Sequence, residues 1–138
     1  MLKKIKVDNA TGMQLSWLVA KALGHDPQYG RVAHGGVWHG WTVSEPDRYR
    51  HLPKYTKEWD RMMPIASKAR IIYDYYIHPA DDSDLVHARL SCAKLKPGDT
   101  RGTCWYAPAR GATELEAIAR CYVKSELGEE VEVPEELA

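Results

Sequence analysis

The segment His34–Val43, with the sequence HGGVWHGWTV, contains two histidines and two tryptophans among glycines. The imidazole nitrogens of His34 and His39 are possible zinc ligands, and the rings of Trp38 and Trp41 are possible stacking surfaces for a ligand. A zinc site needs three or four converging ligands, and this segment offers no cysteine or carboxylate. The pattern therefore favours a glycine-rich bend whose indoles cover the core. A metal site is the weaker alternative, and no cofactor is expected.

A second segment, residues 48–57, combines cationic and aromatic side chains. Lysine and arginine neutralise phosphates, and tyrosine rings stack on unpaired bases, so this combination is typical of single-strand binding. The signal has low specificity because basic loops are common and no RRM, KH or helix-turn-helix signature accompanies it. The candidate residues for binding a ligand or nucleic acid are Arg48, Tyr49, Arg50, Lys54, Tyr55, Lys57, Trp38 and Trp41.

Other patterns that could support metal binding or catalysis are weak. The aspartates of HPADDSD, residues 78–84, lack the glycine and distal glutamate of an EF-hand, which favours a solvated loop. No G-x-S-x-G, Walker A or G-x-G-x-x-G motif is present. The three cysteines, Cys92, Cys104 and Cys121, form no C-x-x-C pair and are expected to be small buried side chains. We therefore predict no catalytic residues.

Two amphipathic helices are predicted at about 11–23 and 113–127. Each begins with a threonine followed three residues later by a glutamine or glutamate, which is the spacing of a capping box. Apolar residues then recur at helical period along one face of each segment. Gly24 follows the first helix in the position that favours a left-handed terminating residue.

Strands are indicated where β-branched, aromatic or alternating residues dominate. Pro64 fits the first turn of a short helix ending at Ala69. The sequence thus predicts an α+β fold in which the two main helices pack on one face of a small antiparallel sheet. The sheet strands are expected at about 70–77, 85–95 and 103–107, with further short strands at 3–7 and 37–43.

The composition is that of one globular domain spanning residues 1–138, with 44% hydrophobic and 28% charged residues. Residues 44–57 lack any period and are predicted to form a long exposed loop. Residues 129–138 are predicted to form an acidic tail. Net charge is zero, but the last part of the chain is acidic and the remainder basic. No apolar run is long enough for a membrane span, and the start lacks the apolar region of a secretory signal.

Three stretches carry a resemblance to a known family. They are TGMQLSWLVAKALGHD, then Trp59 followed by MPIASKARI, and GATELEAIARCYVKSELGEEVEVPEEL at the end. Together they resemble the phage NinX-like family, small phage and prophage proteins grouped as a domain of unknown function. The middle of the chain, at 31–57 and 78–84, matches poorly. The resemblance implies a phage or prophage origin and a cytoplasmic location in the host cell, and it brings no catalytic residues.

These observations lead to three functional hypotheses. The first is a non-enzymatic phage accessory protein that acts by binding a host or phage protein. The second is a nucleic-acid-binding module that uses the segment 48–57. The third is a metal-dependent enzyme that uses His34, His39 and a distant carboxylate. No membrane partner is expected, and a homodimer stays open because the acidic end and the basic segment could meet between subunits.

Overall fold

The structure is a computed structural model that describes residues 2–33, 37–45, 48–77, 84–90 and 106–137. For the described residues within 30–39, 44–50, 72–90 and 106–108 it gives the backbone path only. The described residues form three α-helices: α1 (Gly12–Ala22), α2 (Trp59–Ala69) and α3 (Glu114–Leu127). They also form two 3-10 turns, Val7–Asn9 and Glu135–Leu137, and eight strands. The strands are β1 (Leu2–Lys6), β2 (Gln28–Ala33), β3 (Val37–Glu45), β4 (Arg48–His51), β5 (Ile71–Ile77), β6 (Asp84–Leu90), β7 (Tyr106–Gly111) and β8 (Glu130–Pro134).

The described strands form three small antiparallel sheets rather than one. β1 pairs with β8, so that Ile5 lies opposite Val131. β2, β3 and β4 form a second sheet in sequence order, in which Tyr29 lies opposite Trp41. β5, β6 and β7 form the third sheet, also in sequence order. The two-stranded β1–β8 ribbon is too small to be stable alone, and α1 and α3 pack against its strand β8.

Helix α3 is the centre of the molecule. It contacts all three strands of the β5–β6–β7 sheet, and it also packs against α1 and α2. Its buried face continues into the buried face of α1, and the β1–β8 ribbon contributes Val133 to the same core. The largest fully buried side chains include Leu15, Leu18, Met62, Ile118 and Val43. The predicted α+β class and both amphipathic helices are confirmed.

Arg120 ties α3 to the two segments on either side of it. Its guanidinium is buried and donates to the carbonyl oxygen of Ala10 and to the carbonyl oxygen of Arg110, the latter at 2.7 Å from Nη1. Nη2 also forms an ion pair with Glu116, one turn earlier on α3, at 2.7 Å. The charge is therefore both paired and hydrogen-bonded, as a buried guanidinium requires.

The helix ends follow the predicted local chemistry. The backbone N–H of Thr11 donates to Oε1 of Gln14, and that of Glu116 donates to Oγ1 of Thr113, as capping-box spacing implies. At the end of α1, Gly24 has a φ of +92°, and the N–H groups of Gly24 and His25 bond to carbonyls of the last turn. This is the Schellman arrangement, and it confirms the predicted terminating role of the glycine.

Two predicted segments differ from the structure. Residues 48–51 form β4 and pair with β3, so the segment 44–57 is not a long irregular loop. The residues after β4 are not all exposed either, since Leu52 and Tyr55 are buried in the core. Residues 130–134 of the expected acidic tail form β8, whose Val131 and Val133 are buried. In both places a few apolar anchors outweigh the polar composition that suggested an exposed chain.

Other boundaries shift by several residues. Helix α2 begins at Trp59, so Pro64 lies within the helix rather than in its first turn. The described part of β6 ends at Leu90, and residues 91–95 of the predicted strand lie outside the described residues. β7 runs to Gly111, later than predicted, and it lies at an edge of its sheet, where Pro108 is tolerated.

Candidate ligand-binding groove

The segment predicted to bind nucleic acid is only partly accessible. Lys54 and Lys57 are exposed in the turn between β4 and α2. Tyr55 is only 4% exposed and belongs to the core, so the prediction that its ring stacks on a base is wrong. The side chains of Arg48, Tyr49 and Arg50 lie outside the described part, and their candidate role stays a prediction.

Trp41 joins the second sheet to α1. Its ring lies edge-on to the ring of Trp17, with centroids 6.4 Å apart, and edge-on to the ring of Tyr29 at 5.4 Å. Trp41 is half-buried against the core, which agrees with the interpretation that indoles of this segment shield apolar side chains. Tyr29, which the sequence did not single out, is 65% exposed at the outer end of this cluster.

The proposed metal ligands cannot be placed. His34 lies outside the described residues, and the side chains of His39 and Trp38 lie outside the described part as well. Within the described ranges, no three histidine, cysteine, aspartate or glutamate side chains group closely enough to hold a metal ion. No described helix has the length and apolar character needed to cross a membrane.

A groove of about 610 Å³ opens where three helices meet. The last residues of α1 form one wall, the second half of α2 forms the other, and α3 lies beneath both. The groove floor and walls are mainly apolar. They are lined by Ala22, Leu23, Pro64, Ile65, Ala69 and Tyr122.

Charged side chains occupy the rim of this groove. Lys68 and Arg70 lie at the end of α2, and Glu126 lies on α3. All three are exposed. Arg70 adopts the left-handed backbone conformation, with φ of 57°, and its N–H caps the last turn of α2 by bonding to the carbonyl of Ser67. The left-handed residue ends the helix and turns the chain into β5.

Tyr122 links the floor of the groove to its rim. Burial raises the pKa of its phenol above 10.0, and the nearby carboxylate of Glu126 raises this pKa further. Both causes disfavour the phenolate. The side chain therefore stays a neutral phenol at physiological pH, with an O–H that can donate a hydrogen bond.

The groove was not predicted from the sequence, although its parts carry signals. Leu23 continues the apolar stripe of α1 past its last turn and is 36% exposed, and Ile65 is half-buried on α2. An apolar residue beyond the buried face of a helix is a weak signal by itself. Leu23 and Ile65 become part of a concave surface only because three helices that are distant in sequence meet there.

Comparison with known proteins adds no identification. No protein-family model matches this chain, and no curated protein sequence matches it significantly. The geometry of the groove is therefore the basis for the functional assignment.

Proposed function

We propose that this chain is a non-enzymatic binding protein whose groove holds a small ligand with an apolar body. The supporting observation is the groove itself, a concavity of about 610 Å³ with apolar walls and a few polar groups at its rim. Small-molecule sites have volumes of about 300–1,000 Å³ and this same division between apolar lining and sparse polar groups.

The size of the groove favours a small ligand over a folded protein partner. A stable protein–protein interface uses about 20–30 residues on each side, whereas the described residues that line this groove come from three short helix segments. The protein partner expected from the sequence is therefore the less supported of the two alternatives at this surface. The resemblance to the phage NinX-like family supports an accessory role in the cytoplasm of a host cell, and this stays a proposal.

A neutral apolar dye tests the proposal without assuming a headgroup. We expect Nile red to bind the protein saturably with an increase in fluorescence, and we expect Leu23→Glu to abolish this binding because it places a charge in the apolar wall. Met13→Glu is the matched control, since Met13 lies on α1, is 41% exposed and is not among the residues that line the groove. Absence of saturable binding, or equal losses in both variants, would refute the proposal.

Nucleic-acid binding is the second candidate function. It is favoured by the exposure of Lys54 and Lys57 on the turn that follows β4, beside the backbone positions of Arg48 and Arg50. We expect binding to a single-stranded oligonucleotide to weaken steeply with salt, and the double variant Lys54→Gln/Lys57→Gln to reduce both the affinity and the slope.

The control for this second test removes the same charge elsewhere. Lys3 and Lys6 are exposed on β1, so Lys3→Gln/Lys6→Gln changes net charge equally without touching the turn. Equal effects of the two double variants would indicate non-specific attraction. Absence of binding by the unaltered protein at low salt would end this hypothesis.

A further inference from the structure

The rim of the groove has an excess of positive charge. Lys68 and Arg70 line the groove at the end of α2, and Glu126 is the one acidic residue among the described lining residues. Neither cation forms an ion pair with another described residue. Two adjacent cations without such partners at the edge of an apolar concavity leave hydrogen-bond donors directed to whatever occupies it.

The negative ends of α1 and α2 also lie near the groove and would disfavour an anion. Their effect is reduced because the terminal carbonyls already accept hydrogen bonds. Gly24 and His25 bond to the last turn of α1, and Arg70 bonds to the last turn of α2. A helix end is equivalent to about half a charge, and its influence is screened at a surface, whereas each side-chain cation carries a full charge. The side chains that line the groove, two cations against the carboxylate of Glu126, therefore leave one net positive charge at its rim.

We infer that the ligand of the groove is an amphiphilic anion, with an apolar tail on Leu23 and Ile65 and a carboxylate that accepts hydrogen bonds from Lys68 and Arg70. This inference rests on the proposed function and specifies its ligand. Guanidinium and ammonium groups form their strongest hydrogen bonds with oxyanions, and the planar guanidinium suits a carboxylate in particular. The neutral phenol of Tyr122 adds a third donor at the groove.

The inferred occupant is a free small molecule rather than an acidic segment of a protein. The groove has the volume of a small-molecule site, and its cations lie together at the end of α2. In the inferred complex one headgroup lies at the end of α2 beside both cations, and one tail fills the apolar part. A peptide would need further contacts beyond the groove, and it serves as a probe in the test below.

Calorimetric titration with tail-matched probes tests the headgroup. The probes are dodecanoate, dodecanol and dodecyltrimethylammonium, each below the concentration at which it aggregates. We expect dodecanoate to bind most tightly and the cation most weakly. In Lys68→Gln/Arg70→Gln we expect dodecanoate to lose affinity by about tenfold or more, since two charge-assisted hydrogen bonds are removed. Dodecanol should bind this variant as it binds the unaltered protein.

Two controls separate folding and net charge from the headgroup contact. Circular dichroism and thermal melting verify that each variant is folded, and exposed positions such as Lys68 and Arg70 are expected to tolerate glutamine. Lys3→Gln/Lys6→Gln removes the same charge at two β1 positions that do not line the groove, and it should leave dodecanoate binding unchanged.

The possible failures are distinguishable. If all three probes bind equally, and Leu23→Glu abolishes them all, the groove binds ligands but the anion inference is wrong. If no probe binds, or if Leu23→Glu has no effect, the proposed function itself is wrong. If an acidic amphipathic peptide binds more tightly than dodecanoate and depends on Leu23, the occupant is a protein segment, and the small-ligand inference is overturned.

Discussion

The guanidinium of Arg120 donates two hydrogen bonds to one carbonyl oxygen, that of Ala10, with distances of 3.1 Å from Nε and 2.9 Å from Nη2. Ala10 precedes α1, whereas Arg120 lies in the middle of α3, 110 residues later. The same side chain reaches the carbonyl of Arg110 at the end of β7. One buried cation therefore fixes the start of α1 and the end of β7 to the central helix.

Replacing Arg120 by lysine should destabilise the fold strongly. Lysine keeps the charge but lacks the planar fork that serves both carbonyls, so a buried charge would lose partners. We expect the free energy of unfolding, measured by urea denaturation, to fall by about 3 kcal/mol. Arg110→Lys is the control, because Arg110 contributes its backbone carbonyl and its side chain is exposed. Equal stability of the two variants would contradict the proposal that Arg120 holds α1 and β7 to α3.

Gly111, the last residue of β7, lies against the backbone of α3. A Cβ built on this glycine would lie 2.5 Å from the backbone nitrogen of Ala117, which cannot move without displacing the helix. We therefore expect Gly111→Ala to reduce the free energy of unfolding by about 1–3 kcal/mol. Ala112→Ser, at the exposed neighbouring position, should change it by less than about 0.5 kcal/mol. Thermal melting of both variants would show whether this contrast exists.

Trp17 anchors the aromatic contact between α1 and the second sheet. We expect Trp17→Ala to destabilise the protein by about 3 kcal/mol. This is near the lower end of the losses found when a large buried aromatic side chain is replaced by alanine. The indole Nε1 of Trp17 is buried without a hydrogen-bond partner among the described residues, so its removal offsets part of the loss. Trp59→Ala is the control, since Trp59 is 46% exposed. Similar losses by urea denaturation would argue against this role for Trp17.

Alkaline pH should destabilise the protein through Tyr122. The unfolded chain releases the phenol proton near pH 10.0, while burial and Glu126 hold the folded-state pKa above that value. The unfolded chain therefore loses this proton at a lower pH than the folded protein does. The free energy of unfolding should fall as pH rises above 10 towards the folded-state pKa. Tyr122→Phe should flatten this part of the curve in denaturation series across that range. Parallel curves for the two proteins would exclude this cause.

Local signals in the sequence were sufficient for α1 and α3 and for their ends, but they placed the start of α2 too late. Thr11, Thr113 and Gly24 act within one turn of their own position, so spacing alone identifies their roles. β4 was missed because the segment RYRH has no apolar alternation, and only pairing with β3 makes it a strand. The groove was missed for a related reason. Its residues come from three helices, and their meeting depends on tertiary packing that no single segment encodes.

The pairing of β1 with β8 has a consequence for biosynthesis. β1 ends at Lys6 and its partner strand begins at Glu130, so β1 is synthesised well before the strand with which it pairs. Until β8 is made, the nascent chain carries Ile5 without Val131, the residue that lies opposite it in the native state. Closing so long a stretch of polypeptide is entropically slow. We therefore expect this ribbon to pair late in folding, after the elements that lie between its two strands have formed.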